Sequence, residues 1–275
     1  MKTRNFASWY DASWSPWLGC DPVSRACRLC HVPRLGGVPK GQRMIYSPEQ
    51  WKRGATMQRR AEEAGMRLVV MLGYACDFFD NFSGAVSNAR GGYPSMVAYD
   101  FGGPSMAQRP IFLDDLRAAT LDVIDASPSV DWVVLTQRPD NIAWMLGDKE
   151  RENLFIGVTA FDQLSLEDNW TIATQGDKGD ILIGGWLLCL TPMLGPITLN
   201  SRVFTEYGFP DWVLVSGELG PGGKEPEAGW ITGVVQDCAD LSIPAWVEPV
   251  GIEGIVFPEY FGALPRNRMP DKRRG

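Results

Sequence analysis

Short apolar, β-branched runs alternate with helix-like segments along most of this chain, and that alternation is the strongest constraint on its fold. "RLVVMLGY" (67–74), "DWVVLTQR" (131–138), "NLFIGVTA" (153–160), "DILIGGW" (180–186) and "DWVLVSGE" (211–218) read as buried parallel strands, with "IPAWVEP" (243–249) a further one. Between them, "SPEQWKRGATMQRRAEEAG" (47–65) opens on Ser-Pro and ends on Gly, the punctuation of a helix. "FLDDLRAATLDVIDAS" (112–127) and "EAGWITGVVQDCADLS" (227–242) carry apolar residues at helical spacing. The expectation is an α/β fold, either a barrel or an open parallel sheet. At 275 residues a single domain of barrel type accommodates the whole chain. The segment 81–110, rich in Gly, Ser and Pro, reads as a long loop or insertion, and 264–275 as a basic tail.

In α/β folds, chemistry gathers where strands end. Asp77, Thr136, Gln137, Arg138, Thr159, Asp162 and Glu218 all fall just past predicted strands, although strand-to-loop junctions are polar in general. A net charge of −7 argues against a surface built for tight, nonspecific phosphate binding. No window is apolar and long enough for a membrane span, and no signal-peptide run is visible, so the expected location is cytoplasmic. Disulfides are rare there, and clustered cysteines tend to mean metal or catalysis. Cys76, Cys189 and Cys238 are scattered in apolar surroundings and read as ordinary buried thiols.

The other three cysteines lie in "GCDPVSRACRLCHVPR" (19–34), which also holds the single histidine, His31. Cys27 to His31 spells the C-x-x-C-H signature of covalent haem attachment, but that chemistry belongs to exported, small helical proteins. A zinc site needs four ligands at tetrahedral angles. Cys30 and His31 are adjacent, which suits one ion poorly, so zinc would need a distant carboxylate and stays the alternative. An iron–sulfur cubane held by Cys20, Cys27 and Cys30 leaves one iron open. That is the arrangement a radical enzyme dependent on S-adenosylmethionine (SAM) requires: the open iron takes the amino and carboxylate groups of SAM, whose reductive cleavage gives a 5′-deoxyadenosyl radical.

"WSPWLGCDPVSRACRLCH" (14–31) resembles the N-terminal signature of a three-cysteine-motif family of phages and bacteria, akin to radical SAM enzymes. The likeness continues in order through "DFFD" (77–80), "VVLTQRPDNI" (133–142), "LFIGVTAFDQ" (154–163), "TPMLGPITL" (191–199) and the block 211–251. Ser15 stands where the family usually has Asn, His31 where it has Tyr, and Gln137 where it has Lys. Thr191 replaces a usual glutamate, and "VEPVG" (247–251) lacks the family's lysine, so the roles of those two residues are not carried over.

The resemblance implies a partial or complete (β/α) barrel of radical SAM type, with 1–46 as the cluster-binding segment. It implies a [4Fe-4S] cluster on Cys20, Cys27 and Cys30, with SAM bound by polar groups at the strand ends. Glu218 suits the amino or ribose groups of SAM and Arg138 its carboxylate; Thr136 and Thr159 are further candidates, and His31 would pack near the adenine. The substrate implied is a nucleic-acid base. Most concretely, the reaction is isomerisation of N-linked glycinylthymidine to its C-linked form in phage DNA hypermodification, which evades host restriction. The hydrogen abstracted would be that on the glycyl α-carbon, and the electron would come from a reductant such as flavodoxin or ferredoxin. A different radical SAM base modification and a noncatalytic, zinc-stabilised nucleic-acid-binding module are the alternatives. Tryptophans could stack on an exposed base, but core packing accounts for most of the eleven more simply.

Overall fold

A computed structural model describes residues 9–30, 38–45, 47–88, 109–175, 181–216 and 226–247. His31, Glu218, most of 81–110 and the tail 264–275 lie outside the described residues. The chain is α/β, as the alternation predicts, and the pairings β1–β3, β2–β4, β3–β5, β6–β7, β7–β8 and β8–β9, whose residue ranges follow, are all parallel. It divides into two compact units. One comprises Tyr10–Pro22 and His31–Leu135; the other comprises Met1–Trp9, Val23–Cys30 and Thr136–Gly275.

The first unit holds β1 (Ala12–Trp14), β2 (Met44–Ile45), β3 (Leu68–Leu72), β4 (Ser87–Asn88) and β5 (Val130–Thr136), the last of which reaches its boundary. β3 lies between β1 and β5, with Val70 opposite both Ala12 and Trp132. β2 and β4 form a separate parallel pair. The predicted helix over 47–65 is two helices, α1 (Pro48–Ala55) and α2 (Met57–Ala64). Ser47 caps the first by accepting from Gln50 N at 3.1 Å. The break falls at Thr56, whose hydroxyl turns back onto Arg53 O at 2.8 Å, and Gly65 ends α2 in the left-handed conformation (φ 63°). Helix α3 (Leu113–Asp125) occupies the predicted 112–127 segment.

Trp14 organises this unit's core. Its ring packs edge-on to Trp51 and Trp132, with centroids 5.3 and 5.8 Å away. Its Nε1 donates to Gln50 O at 3.1 Å. Trp17, Phe78, Phe79, Val70 and Leu72 are all at most 1% exposed. Each such side chain contributes about 1.5–3 kcal/mol relative to exposure.

The second unit is built on β6 (Arg151–Thr159), β7 (Ile183–Leu190), β8 (Trp212–Val215) and β9 (Ala245–Val247), paired in that order. Strand β7 corrects the predicted span 180–186. It starts at Ile183 and runs on through "LLCL" (187–190), because those four residues continue a wholly buried register against β6 and β8. Helices α4 (Ile142–Leu146), α5 (Gln163–Gln175), α6 (Arg202–Tyr207) and α7 (Ala228–Asp240) complete the unit. Among the described residues no helix is long and apolar enough to cross a membrane. Most tryptophans are buried core, among them Trp14, Trp132 and Trp170, whereas Trp144 is exposed.

Candidate functional site

The C-x-x-C stretch is a short 3-10 helix, Arg25–Leu29, in the second unit. Cys27 N donates to Ser24 O and Cys30 N to Cys27 O, both at 3.2 Å, so the two cysteines bracket one tight turn. The turn is fastened to residues that follow parallel strands. Ser24 Oγ donates to Gln137 Oε1 at 3.1 Å, just past the end of β5. Arg25 forms an ion pair with Asp162, three residues beyond β6, and its guanidinium lies 4.9 Å from the Phe161 ring centroid. Ser24 Oγ also lies 3.5 Å from Cys27 Sγ. One hydroxyl thus touches both a candidate thiol ligand and the strand-end glutamine.

Asp162 serves two elements at once. Its Oδ1 accepts from Ser165 N at 2.9 Å, and its own N–H donates to Ser165 Oγ at 3.0 Å, so it caps α5 while pairing with Arg25. The loops beyond the neighbouring strands are held together by backbone bonds. Leu194 N donates to Phe161 O at 2.7 Å and Met193 N to Ser216 O at 3.1 Å. The C-terminal edge of β6, β7 and β8 is therefore a rim joined by backbone bonds, and the cysteine turn is anchored on it.

Of the residues assigned to SAM from sequence, three fall in the described chain. Thr136, Arg138 and Thr159 lie at or just past strand ends, as expected, and all are buried. The Thr136 hydroxyl accepts from Arg138 N at 2.9 Å, and Asn169 Nδ2 donates to Thr159 O at 2.8 Å. The first bond uses the Thr136 hydroxyl to shape the turn after β5, whereas the second engages only the Thr159 main chain. His31 and Glu218 lie outside the described residues.

Cys20 belongs to the first unit. Gly19 before it adopts φ 101° and donates its N–H to Ala75 O at 3.0 Å, a conformation that favours glycine. Cys20 Sγ donates to Asp21 O at 3.5 Å. Asp77 and Asp80, in the "DFFD" block, are buried. Asp77 Oδ1 accepts from Phe79 N at 3.0 Å, and Asp80 pairs with Arg43 at 2.5 Å, so the block's acids stabilise its own turn and a buried cation.

No disulfide joins any of the six cysteines. Cys20, Cys27 and Cys30 are half-buried, while Cys76, Cys189 and Cys238 are buried, as their apolar surroundings predict. Burial pushes the Cys76 thiol well above its usual range, with the nearby Cys20 and Asp77 adding to the rise. Burial alone raises Cys189, and burial followed by Asp237 lifts Cys238 to about 12. The donor chemistry of Cys20, Cys27 and Cys30 fits an iron–sulfur cluster: three half-buried thiols with no disulfide committed. Among the described residues, no three His, Cys, Asp or Glu side chains are gathered into a metal-holding group.

Sequence reasoning did not single out Ser24, Arg25, Asp21 or Arg43. The contacts that matter for Ser24 and Arg25 span 113 and 137 residues, which no local pattern encodes. No curated protein and no solved structure matches the chain. Residues 111–253 match the family described as "Protein of unknown function (DUF5131)". The match covers just over half of the 275 residues, and the chain belongs to the DUF5131 family.

Proposed function

We propose that this protein is a radical SAM enzyme of partial-barrel type, with Cys20, Cys27 and Cys30 as thiolate ligands of a [4Fe-4S] cluster. The observation that carries the reading is the fastening of the C-x-x-C turn, through Ser24–Gln137 and Arg25–Asp162, to residues just past strand ends. That edge is where α/β folds assemble their chemistry. When bound, the cluster and SAM supply the one-electron cleavage that starts radical chemistry.

The chain's own residues have three tasks in this reading. Cys20, Cys27 and Cys30 provide the ligands, and the ion pair of Arg25 with Asp162 keeps the C-x-x-C turn on the strand-end rim. Arg138, buried just past the end of β5, offers a guanidinium fork for the SAM carboxylate. Thr136, Thr159, Glu218 and His31 are the remaining contacts proposed for SAM.

The substrate in this proposal is a modified base in DNA, and the reaction is isomerisation of N-linked glycinylthymidine to the C-linked form. One carbon–nitrogen bond is exchanged for one carbon–carbon bond, with no net change in composition. A flavodoxin or ferredoxin would serve as reductant. DNA carrying the N-linked glycyl base, incubated with protein, SAM and reductant, is expected to yield the C-linked isomer at unchanged mass. Cluster-dependent SAM cleavage without that isomer would leave the radical class standing and reject this substrate. Stoichiometric zinc in place of iron and sulfide would favour the noncatalytic binding module.

A further inference from the structure

The Cys20 loop has a second support that the proposed function does not use. Leu18 pairs with Met44 in an antiparallel bridge, and Gly19 lies so close to the same stretch that a Cβ there would sit 2.6 Å from Gln42 O. Beyond Cys20, Asp21 is tied to that stretch twice: Oδ2 accepts from Arg43 Nη2 at 3.1 Å and Oδ1 from Gly41 N at 3.2 Å. Cys20 therefore sits between a glycine wedged against residue 42 and an aspartate strapped to residues 41 and 43.

Arg43 is itself immobilised. Its side chain is 1% exposed, and Nε donates to the equally buried Asp80 at 2.5 Å. Nη1 donates to Gln42 O at 2.9 Å, and the guanidinium lies 4.7 Å from the Phe82 ring centroid. Arg117 holds the backbone of the same acid, with Nη2 donating to Asp80 O at 2.7 Å. One arm of a rigid, fully buried fork is thus directed at Asp21, whose own side chain is 40% exposed. A buried ion pair is a weak source of stability compared with apolar packing of equal volume, so its contribution here lies in orientation.

The geometry points to Arg43 and Asp21 as positioning residues that fix the Cys20 loop for ligation, an inference that rests on the cluster reading for what the loop is held to do. The test is site-resolved alkylation of the metal-free protein, read by mass spectrometry, with iron and sulfide content after reconstitution measured in parallel. Asp21→Ala removes both ties at a partly exposed position and leaves the Arg43–Asp80 pair intact. Its Cys20 should react about tenfold faster, the factor set by losing a charge-assisted hydrogen bond that holds a loop closed. Cys27 and Cys30 should keep wild-type rates, and buried Cys76 should stay protected. Arg43→Lys, which retains charge but lacks the fork, should give the same selective rise; Asp21→Glu should restore part of the protection.

Unchanged Cys20 reactivity in Asp21→Ala would overturn the inference. So would a rise shared by every thiol including Cys76, which would signify general loosening. A selective rise at Cys20 in a protein that takes up no iron and sulfide would uphold the positioning role and reject the cluster reading, so the two failures are distinguishable.

Discussion

Thiol burial divides the cysteines into two chemical classes. Nucleophilicity resides in the thiolate, and burial holds Cys76, Cys189 and Cys238 in the neutral form. In metal-free protein at neutral pH, iodoacetamide should label Cys20, Cys27 and Cys30 and spare the other three until denaturant is added. Labelling of Cys189 or Cys238 in the folded state would contradict the burial described here. This partition was legible in sequence, because apolar neighbours announce buried thiols and close spacing announces a shared task. The bonds that orient the C-x-x-C turn were not legible. Arg25 looks like any exposed cation in "SRACRLC", and only the fold brings Asp162 to it.

Helix α1 shows how packing reverses a local preference. Gly54 sits in its last turn, where alanine would normally gain about 1 kcal/mol in helix propensity. A Cβ there would lie 2.5 Å from the Trp14 ring, which is itself braced by Trp51 and Trp132 and cannot withdraw. Gly54→Ala should therefore destabilise the protein by about 1–3 kcal/mol, seen as a lower urea midpoint. A raised midpoint would mean that Trp14 is free to move. The strands were readable because β3 and β8 are continuous apolar runs and β5 and β6 carry the apolar stretches "WVVL" and "LFIGV". Helix α5 escaped sequence reading because its two faces are chemically mixed. Ser165 and Thr174 are buried in it while Leu164 and Ile172 are exposed, so no clean apolar stripe marks its period. Strand β1 escaped because "ASW" is too short to carry a pattern.

For the molecule as a whole, a net charge of −7 limits how any nucleic acid can be engaged. In the proposed base-directed function, affinity for an oligonucleotide should rest on few phosphate contacts, giving a slope of about −2 for log K against log salt rather than the steeper dependence of a basic surface. Fluorescence anisotropy over a salt series measures it, and a slope of about −6 or steeper would contradict a local, base-directed contact. The α/β class and its parallel strands followed from the sequence alternation, whereas the division into two units and the anchoring of the C-x-x-C turn emerged only from tertiary contacts. Whether Cys20, Cys27 and Cys30 hold an iron–sulfur cluster decides the radical reading. Anaerobic reconstitution with iron and sulfide, followed by assay of reductive SAM cleavage in the wild type and in Cys27→Ala, tests it most directly. The wild-type protein should be brown, contain iron and sulfide and release 5′-deoxyadenosine, with both properties lost in Cys27→Ala. A colourless wild-type protein containing zinc, or SAM cleavage that persists in Cys27→Ala, would contradict it.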